Sequence, residues 1–251
     1  MLQVTSLTKT FDGLIAVNDI NLSVEAGMLY GVIGPNGSGK TTLFNILTGF
    51  LDPTAGQVVF NGIDLSGKNP ESIVRAGIAR TFQVVRFHKD STVRETVWAA
   101  QSLHLSWFQM LKPLSAPSQR DLSEEVDNIL ERTWLRPHAD RLARELPFGL
   151  VRQLEIARAL ATRPKLLLMD EPASGMNPTE THQLTNDIKR LRDSGITVLL
   201  IEHDIEMVMN LCDRIAVLNF GKKIAEGTAD EVRADPDVIA AYLGEKYRAQ
   251  A

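Results

Sequence analysis

The sequence is short of cysteine, of surplus charge and of long apolar runs, and each shortage removes a class of protein. A single cysteine, Cys212, cannot close an intrachain disulfide, so a reducing, cytosolic setting is expected. Against 31 Asp and Glu stand 27 Lys and Arg, a formal net charge of −4. That balance gives no footing for nonspecific binding to nucleic acid or anionic lipid. The opening Met1-Leu2-Gln3-Val4-Thr5-Ser6 lacks the basic head and apolar stretch of a secretion signal. A membrane-spanning helix takes roughly 20 mostly apolar residues, whereas the apolar runs Leu166 to Met169 and Ile196 to Ile201 are strand-sized. Any membrane role therefore passes through a partner. What remains is 251 residues, 44% of them apolar, enough for one large core or two small lobes.

Short β-like runs fill the first sixty or so residues: Leu2 to Leu7, Ile20 to Val24 and Gln57 to Phe60, punctuated by Asp12-Gly13 and Asn61-Gly62. They predict a small antiparallel β layer. Met28 to Ile33 reads as a buried strand leading through a glycine-rich loop into a helix over Lys40 to Thr48. From about Ser91 to Thr162 the pattern turns helical, with Trp98, Trp107 and Trp134, and with Pro113 and Pro117 at a break. After Pro164, the strand Leu166 to Met169, the helix Thr179 to Arg192 and the strand Ile196 to Ile201 alternate as in a parallel βαβ unit. Arg214 to Leu218 and Lys222 to Ala225 read as strands around Phe220-Gly221, and Asp230 to Leu243 as short helices split at Pro236.

Gly34-Pro35-Asn36-Gly37-Ser38-Gly39-Lys40-Thr41 fits G-x-x-x-x-G-K-[ST] and lies between strand and helix, the context that pattern requires. Glycines let successive backbone N–H groups and the helix N-terminus face an anion, Lys40 adds a point charge for β and γ phosphates, and the Thr41 hydroxyl suits magnesium. The alternative, a glycine-rich turn with a solvated lysine, explains neither flanking element.

Leu166-Leu167-Leu168-Met169-Asp170-Glu171 sets two carboxylates at the carboxyl end of a buried strand, where open α/β sheets bind ligands. Asp170 can reach the magnesium shell, while Glu171 can polarise a water in line with the γ-phosphate. Hydrolysis follows more naturally than transfer to a second substrate.

These segments resemble the ATP-hydrolysing subunit of ABC transporters over essentially the whole chain. The resemblance implies an α/β, P-loop NTPase (RecA-like) core over 1–84 and 163–251, an N-terminal antiparallel β layer, and a helical subdomain inserted over 85–162. It puts Phe11 in the place of the aromatic that stacks on adenine, with Val17 and Thr42 also at the nucleotide. Gln83 matches the glutamine that senses magnesium and the attacking water, and His203 the switch histidine at the γ-phosphate. Ser174-Gly175-Met176-Asn177 matches the loop that meets its counterpart across a dimer, although the family more often ends it in Asp.

One departure concerns the signature segment, typically L-S-G-G-Q, which here reads Leu146-Pro147-Phe148-Gly149-Leu150. Pro147 offers neither hydroxyl nor N–H. Gly149 and the helix expected over Leu150 to Ala161 still present N–H groups and a dipole to a phosphate held by a second ATPase subunit.

Leu154 to Leu160, Gly175 to Thr181, Glu202 to Met209 and the tail from Ile224 to Gly244 are similar to the branched-chain amino-acid importers. The implied partners are ATP with Mg2+, a second, identical or related ATPase chain, integral membrane permease subunits and, through them, an external solute-binding protein, with no nucleic acid. The implied place is the cytoplasmic face of the cell membrane, and a docking groove for the permease is expected near Gln83 to Arg94. Alternatives are an importer ATPase for urea, amides or aromatic carboxylates, a soluble ABC-type ATPase acting on nucleic acid or ribosomes, and a small-molecule kinase. The soluble ATPase calls for tandem units or a long coiled coil, neither of which the sequence shows, and the kinase calls for an acceptor site and has no need of His203 or the signature helix.

Overall fold

The computed structural model describes residues 1–81, 90–102 and 117–248. Gln83, Trp107, Pro113 and most of the expected docking groove lie outside them.

Two glycine-bearing turns build the antiparallel layer. Asp12-Gly13 joins β1 (Leu2–Phe11) to β2 (Leu14–Val24), and Asn61-Gly62 joins β4 (Ala55–Phe60) to β5 (Ile63–Asp64), both two-residue hairpin loops. The strand order is β2-β1-β4-β5. A second sheet contains β3 (Leu29–Ile33), β6 (Ile78–Thr81), β7 (Leu166–Asp170), β8 (Thr197–Ile201), β9 (Arg214–Asn219) and β10 (Lys222–Gly227). Its order is β10-β9-β3-β8-β7-β6, parallel from β9 to β6, with β10 antiparallel at one edge.

Strands β3 and β8 are buried at every position, as expected where a parallel sheet is covered on both faces. The strand period of two sends alternate residues into two cores. Leu167 and Met169 join one core with α5 (Phe148–Ala161) and α6 (Pro178–Asp193), while Leu166 and Leu168 join the other with α1 (Lys40–Leu47) and the antiparallel layer. Between β6 and β7 the described residues are helical: α3 (Val93–Gln101), α4 (Pro117–Arg132), two short 3-10 turns and α5. A short α2 (Pro70–Ala76) precedes β6, α7 (Ile205–Leu211) follows β8, and α8 (Ala229–Ala234) and α9 (Pro236–Arg248) close the chain.

Two boundaries differ from expectation at places that matter. Helix α5 starts at Phe148, so Gly149 sits inside its first turn; the fixed φ of Pro147 suits a helix entry. Helix α6 starts at Pro178 because Asn177 accepts the N–H of Glu180 at 3.0 Å, while Glu180 accepts that of Asn177 at 2.9 Å. This is a reciprocal cap, so the Asn177 side chain is committed to its own helix.

Candidate active site

The glycine-rich loop leaves β3 at its carboxyl end and turns into α1. Gly34 has φ +151°, and a Cβ there would stand 2.1 Å from the Leu218 carbonyl oxygen. Gly39, the residue before α1, has φ +103°, and its Cβ would stand 2.5 Å from the Ala16 carbonyl oxygen. Any larger residue at either position pushes the loop away from the backbone that supports it. The loop is braced from the β9–β10 turn, where Gly221 N–H donates to the Ser38 carbonyl at 3.0 Å.

Lys40 is 5% exposed, and its Nζ donates to the carbonyls of Gly34 at 2.7 Å and Pro35 at 2.9 Å. Its charge is thereby held under the loop. A cleft of about 170 Å³ is lined by the run from Asn36 to Thr42, with Ala16, Glu171 and His203. The loop after β3, Glu171 after β7 and His203 after β8 therefore converge on one cleft.

At the end of β7 the two carboxylates part company. Asp170 Oδ2 accepts from Arg80 Nη2 at 2.6 Å, and both side chains are nearly buried. Arg80 also donates to Asn45 Oδ1 at 2.7 Å and Thr48 Oγ1 at 3.2 Å, tying Asp170 to α1. Glu171 adopts the left-handed φ of +48°, and its N–H donates to the Ile201 carbonyl at 2.9 Å. The turn aims its carboxylate at the cleft, where Oε1 lies 2.7 Å from His203 Nε2. Strain of this kind on a non-glycine residue costs of order 1–3 kcal/mol and gathers at functional sites. The next charged neighbour, Glu202, is 3% exposed. Burial pushes its carboxyl above the usual carboxylate range, against the pull of backbone N–H donors from Ala173 and His203.

Other expected positions lie apart from the cleft. Phe11 ends β1, is 40% exposed and carries the Lys9 ammonium 5.1 Å from its ring centroid. Val17, expected at the nucleotide, is fully buried in the core, while Ile15 is exposed; the register shift that pairs Lys9 with Val17 but Thr10 with Ile15 breaks the strand's alternation between them. Gly149 does not line the cleft, and its Cβ would stand 3.1 Å from Glu180 Oε1. Phe148 packs near Gly175, whose Cβ would lie 3.5 Å from the ring, and Arg152 stacks on Phe148 at 5.1 Å. Sequence reasoning passed over Arg80 and Glu202; both gain meaning only from pairing across strands.

Residues 17–174 match the family model described as ABC transporter, and residues 222–248 match a second, the branched-chain amino acid ATP-binding cassette transporter. The chain is 45% identical over 98% of its length to the high-affinity branched-chain amino acid transport ATP-binding protein BraF of Pseudomonas aeruginosa, covering 98% of that protein. It is similar to a solved ATP-binding cassette of an ABC transporter in its ADP conformation, with a TM-score of 0.86 and 36% identity over 97% of this chain and 98% of that one. A dimeric ATP-binding cassette solved in a post-hydrolysis state with ADP and Pi aligns with a TM-score of 0.76 and 25% identity over 91% of this chain and 99% of that one. With its glycine-rich loop, Glu171 and His203 gathered in one cleft, the chain belongs to the ABC transporter family, as one of its ATP-binding, ATP-hydrolysing subunits.

Proposed function

We propose that this subunit drives import of branched-chain or similar hydrophobic amino acids, by ATP-dependent closure of two ATPase chains against membrane permease subunits. The observation that carries the hydrolytic part is the Glu171–His203 pair, which shares one cleft with the phosphate loop. Amino acid as cargo rests on the likeness to BraF and on the tail match over 222–248.

Magnesium fits the residues present. Thr41 contributes an exposed hydroxyl and Asp170 a carboxylate, both hard oxygen donors. Among the described residues no cluster of three His, Cys, Asp or Glu side chains stands ready to cage a metal. A sparse oxygen set suits an ion that keeps waters and takes phosphate oxygens. When bound, the ion neutralises developing charge on the β and γ oxygens.

The chain's own groups do the rest. The N–H groups from Asn36 to Thr42 and the start of α1 cradle the phosphates, and Lys40 adds its charge. Phe11 offers a face to adenine. Glu171 orients and deprotonates the attacking water, and His203 holds the γ-phosphate side. Gln83, which lies outside the described residues, completes the expected set at the magnesium and the water. Because Gly149 lies away from the cleft, the first turn of α5 serves the phosphate of a second chain.

Closure needs somewhere to act. A groove of about 320 Å³ runs between the sheet and the helical segment, walled by Phe50, Ile73, Val74 and Ala100, with Glu155 and Arg158 at its polar side. An amphipathic helix of the permease fits that mixture. No described helix is long and apolar enough to cross a membrane, so attachment at the cytoplasmic membrane face runs through those subunits. Deleting the chain from its host should abolish high-affinity uptake of leucine, isoleucine and valine, and a Lys40→Ala copy should fail to restore it. Normal uptake of all three, with loss of urea or aromatic carboxylate uptake instead, would overturn the cargo assignment.

A further inference from the structure

Glu202 directly follows β8 and directly precedes His203. Its carboxylate is one of the few acidic groups with almost no exposed surface, at 3%. A buried carboxylate without partners costs several kcal/mol, and this one spends its two oxygens on two different loops. Oε1 accepts the N–H of Ala173 at 2.7 Å, and Oε2 accepts the N–H of His203 at 3.1 Å. Ala173 stands two residues beyond Glu171, in a turn closed by Ser174 N–H donating to the Glu171 carbonyl at 3.1 Å. One side chain thus grips the backbone on both sides of the Glu171–His203 contact.

We infer that Glu202 is a positioning residue for ATP hydrolysis: by bridging the N–H groups of Ala173 and His203, it sets the spacing at which the Glu171 carboxylate and the His203 ring meet over the γ-phosphate. This rests on the reading that Glu171 and His203 act there. Glu202 itself is turned into the protein and does not line the phosphate cleft, so its influence runs through the two backbones. Loosening either anchor lets the loops drift by fractions of an ångström, and misplacement of about 1 Å costs up to about a hundredfold in rate.

Two variants of the full chain test this. Glu202→Gln keeps the size but presents an amide NH2 to one of the two N–H donors, so one anchor is lost. Glu202→Asp keeps the charge but is one methylene too short to hold both. The expected result is a fall in kcat of about 10- to 100-fold in each, with KM and directly measured ATP affinity within about twofold and a single cooperative unfolding transition retained. A kcat for Glu202→Gln within twofold of the unaltered chain overturns the inference. So does a loss of kcat matched by equal loss of ATP affinity or of folding in both variants, since that is what a purely structural residue gives. Glu171→Gln serves as the control. If it hydrolyses ATP normally, the underlying reading of the pair fails; if it is inactive while Glu202→Gln is fully active, only the positioning role fails.

Discussion

Glu171 Oε1 and His203 Nε2 lie 2.7 Å apart at the ends of two adjacent parallel strands, β7 and β8. The distance requires a hydrogen on one partner, and with the carboxylate ionised it is the Nε2–H of the imidazole that donates. The two groups also hold each other's direction: a carboxylate on a strained turn at φ +48° is steadied by a ring anchored in the neighbouring loop. On the proposed reading, in which Glu171 is the base and His203 meets the γ-phosphate, their contact couples the arrival of the phosphate to the aim of the base.

Replacing Glu171 by Gln removes the proton acceptor and keeps the shape. Hydrolysis should fall by about 10²- to 10⁴-fold, while ATP affinity stays within about threefold because the loop and Lys40 are untouched. The solution mass of this variant with and without magnesium-ATP then reports on closure. A shift from monomer to dimer supports a homomeric clamp. A monomer that demonstrably holds ATP shows instead that closure needs the membrane subunits or a different ATPase chain.

The signature segment makes a separate prediction. Pro147 caps α5 with no side-chain hydrogen bond, so the first N–H groups of the helix have no local acceptor beyond the turn itself. In Pro147→Ser with Leu150→Gln, a hydroxyl and an amide are placed at the start of the helix that the proposed closure sets against the second chain's phosphate. Hydrogen bonds to a charged group contribute about 1.5–3 kcal/mol each, so ATP-induced dimer affinity should rise about tenfold or more. Sedimentation of the double variant in the Glu171→Gln background measures it, and an unchanged dissociation constant counts against the composite site.

How much of this was legible in the sequence depends on the range of the interaction. The phosphate loop is local, with its glycines, lysine and flanking strand and helix within about fifteen residues, and the structure sets Asn36 to Thr42 in one cleft. The parallel strands were legible because Leu166 to Met169 and Ile196 to Ile201 are apolar throughout. The start of α6 is a readable local signal: Asn177, Pro178 and Glu180 have the spacing of a capped helix. The burial of Val17 was not legible because β1 and β2 pair with register shifts between Val4 and Thr10, and bulges of that sort leave no fixed phase to read. Arg80 was invisible for a different reason. Its partner Asp170 is ninety residues away, and only the β6–β7 pairing brings them together.

Another long-range tie lends itself to a stability measurement. Asp187 on α6 is 5% exposed and accepts from Trp134 Nε1 at 3.1 Å, Gln153 Nε2 at 2.7 Å and Gln183 Nε2 at 3.1 Å, with Arg190 Nη1 at 3.5 Å. Trp134 and Gln153 belong to the helical segment, so this carboxylate fastens that segment to the core. Asp187→Ala leaves several donors without an acceptor and should cost about 3 kcal/mol in chemical denaturation. Asp187→Asn, which keeps one oxygen, should cost less. A loss under about 0.5 kcal/mol for the alanine variant would show that the network contributes nothing net.

The last prediction turns on the sign of one pH dependence. Burial raises the Glu202 pKa, the nearby Glu171 charge pushes the same way, and the backbone N–H donors from Ala173, His203 and Asp204 only partly offset them. With the folded pKa above the unfolded one, the protonated form is the one that folding favours. The stability it confers is fully present below the unfolded pKa, about 4.3 for Glu, and is lost as pH rises through the folded value. Wherever the carboxylate is ionised its burial is therefore a burden on the fold, and a neutral isostere escapes it. The melting temperature of Glu202→Gln relative to the unaltered chain should climb as pH is raised from about 4 to about 8. A gap that stays flat or shrinks over that range would show that the hydrogen bonds to the charged form outweigh its desolvation. A variant that melts higher yet turns over more slowly would place the worth of this buried charge in the alignment of Glu171 and His203, because stability alone selects against it.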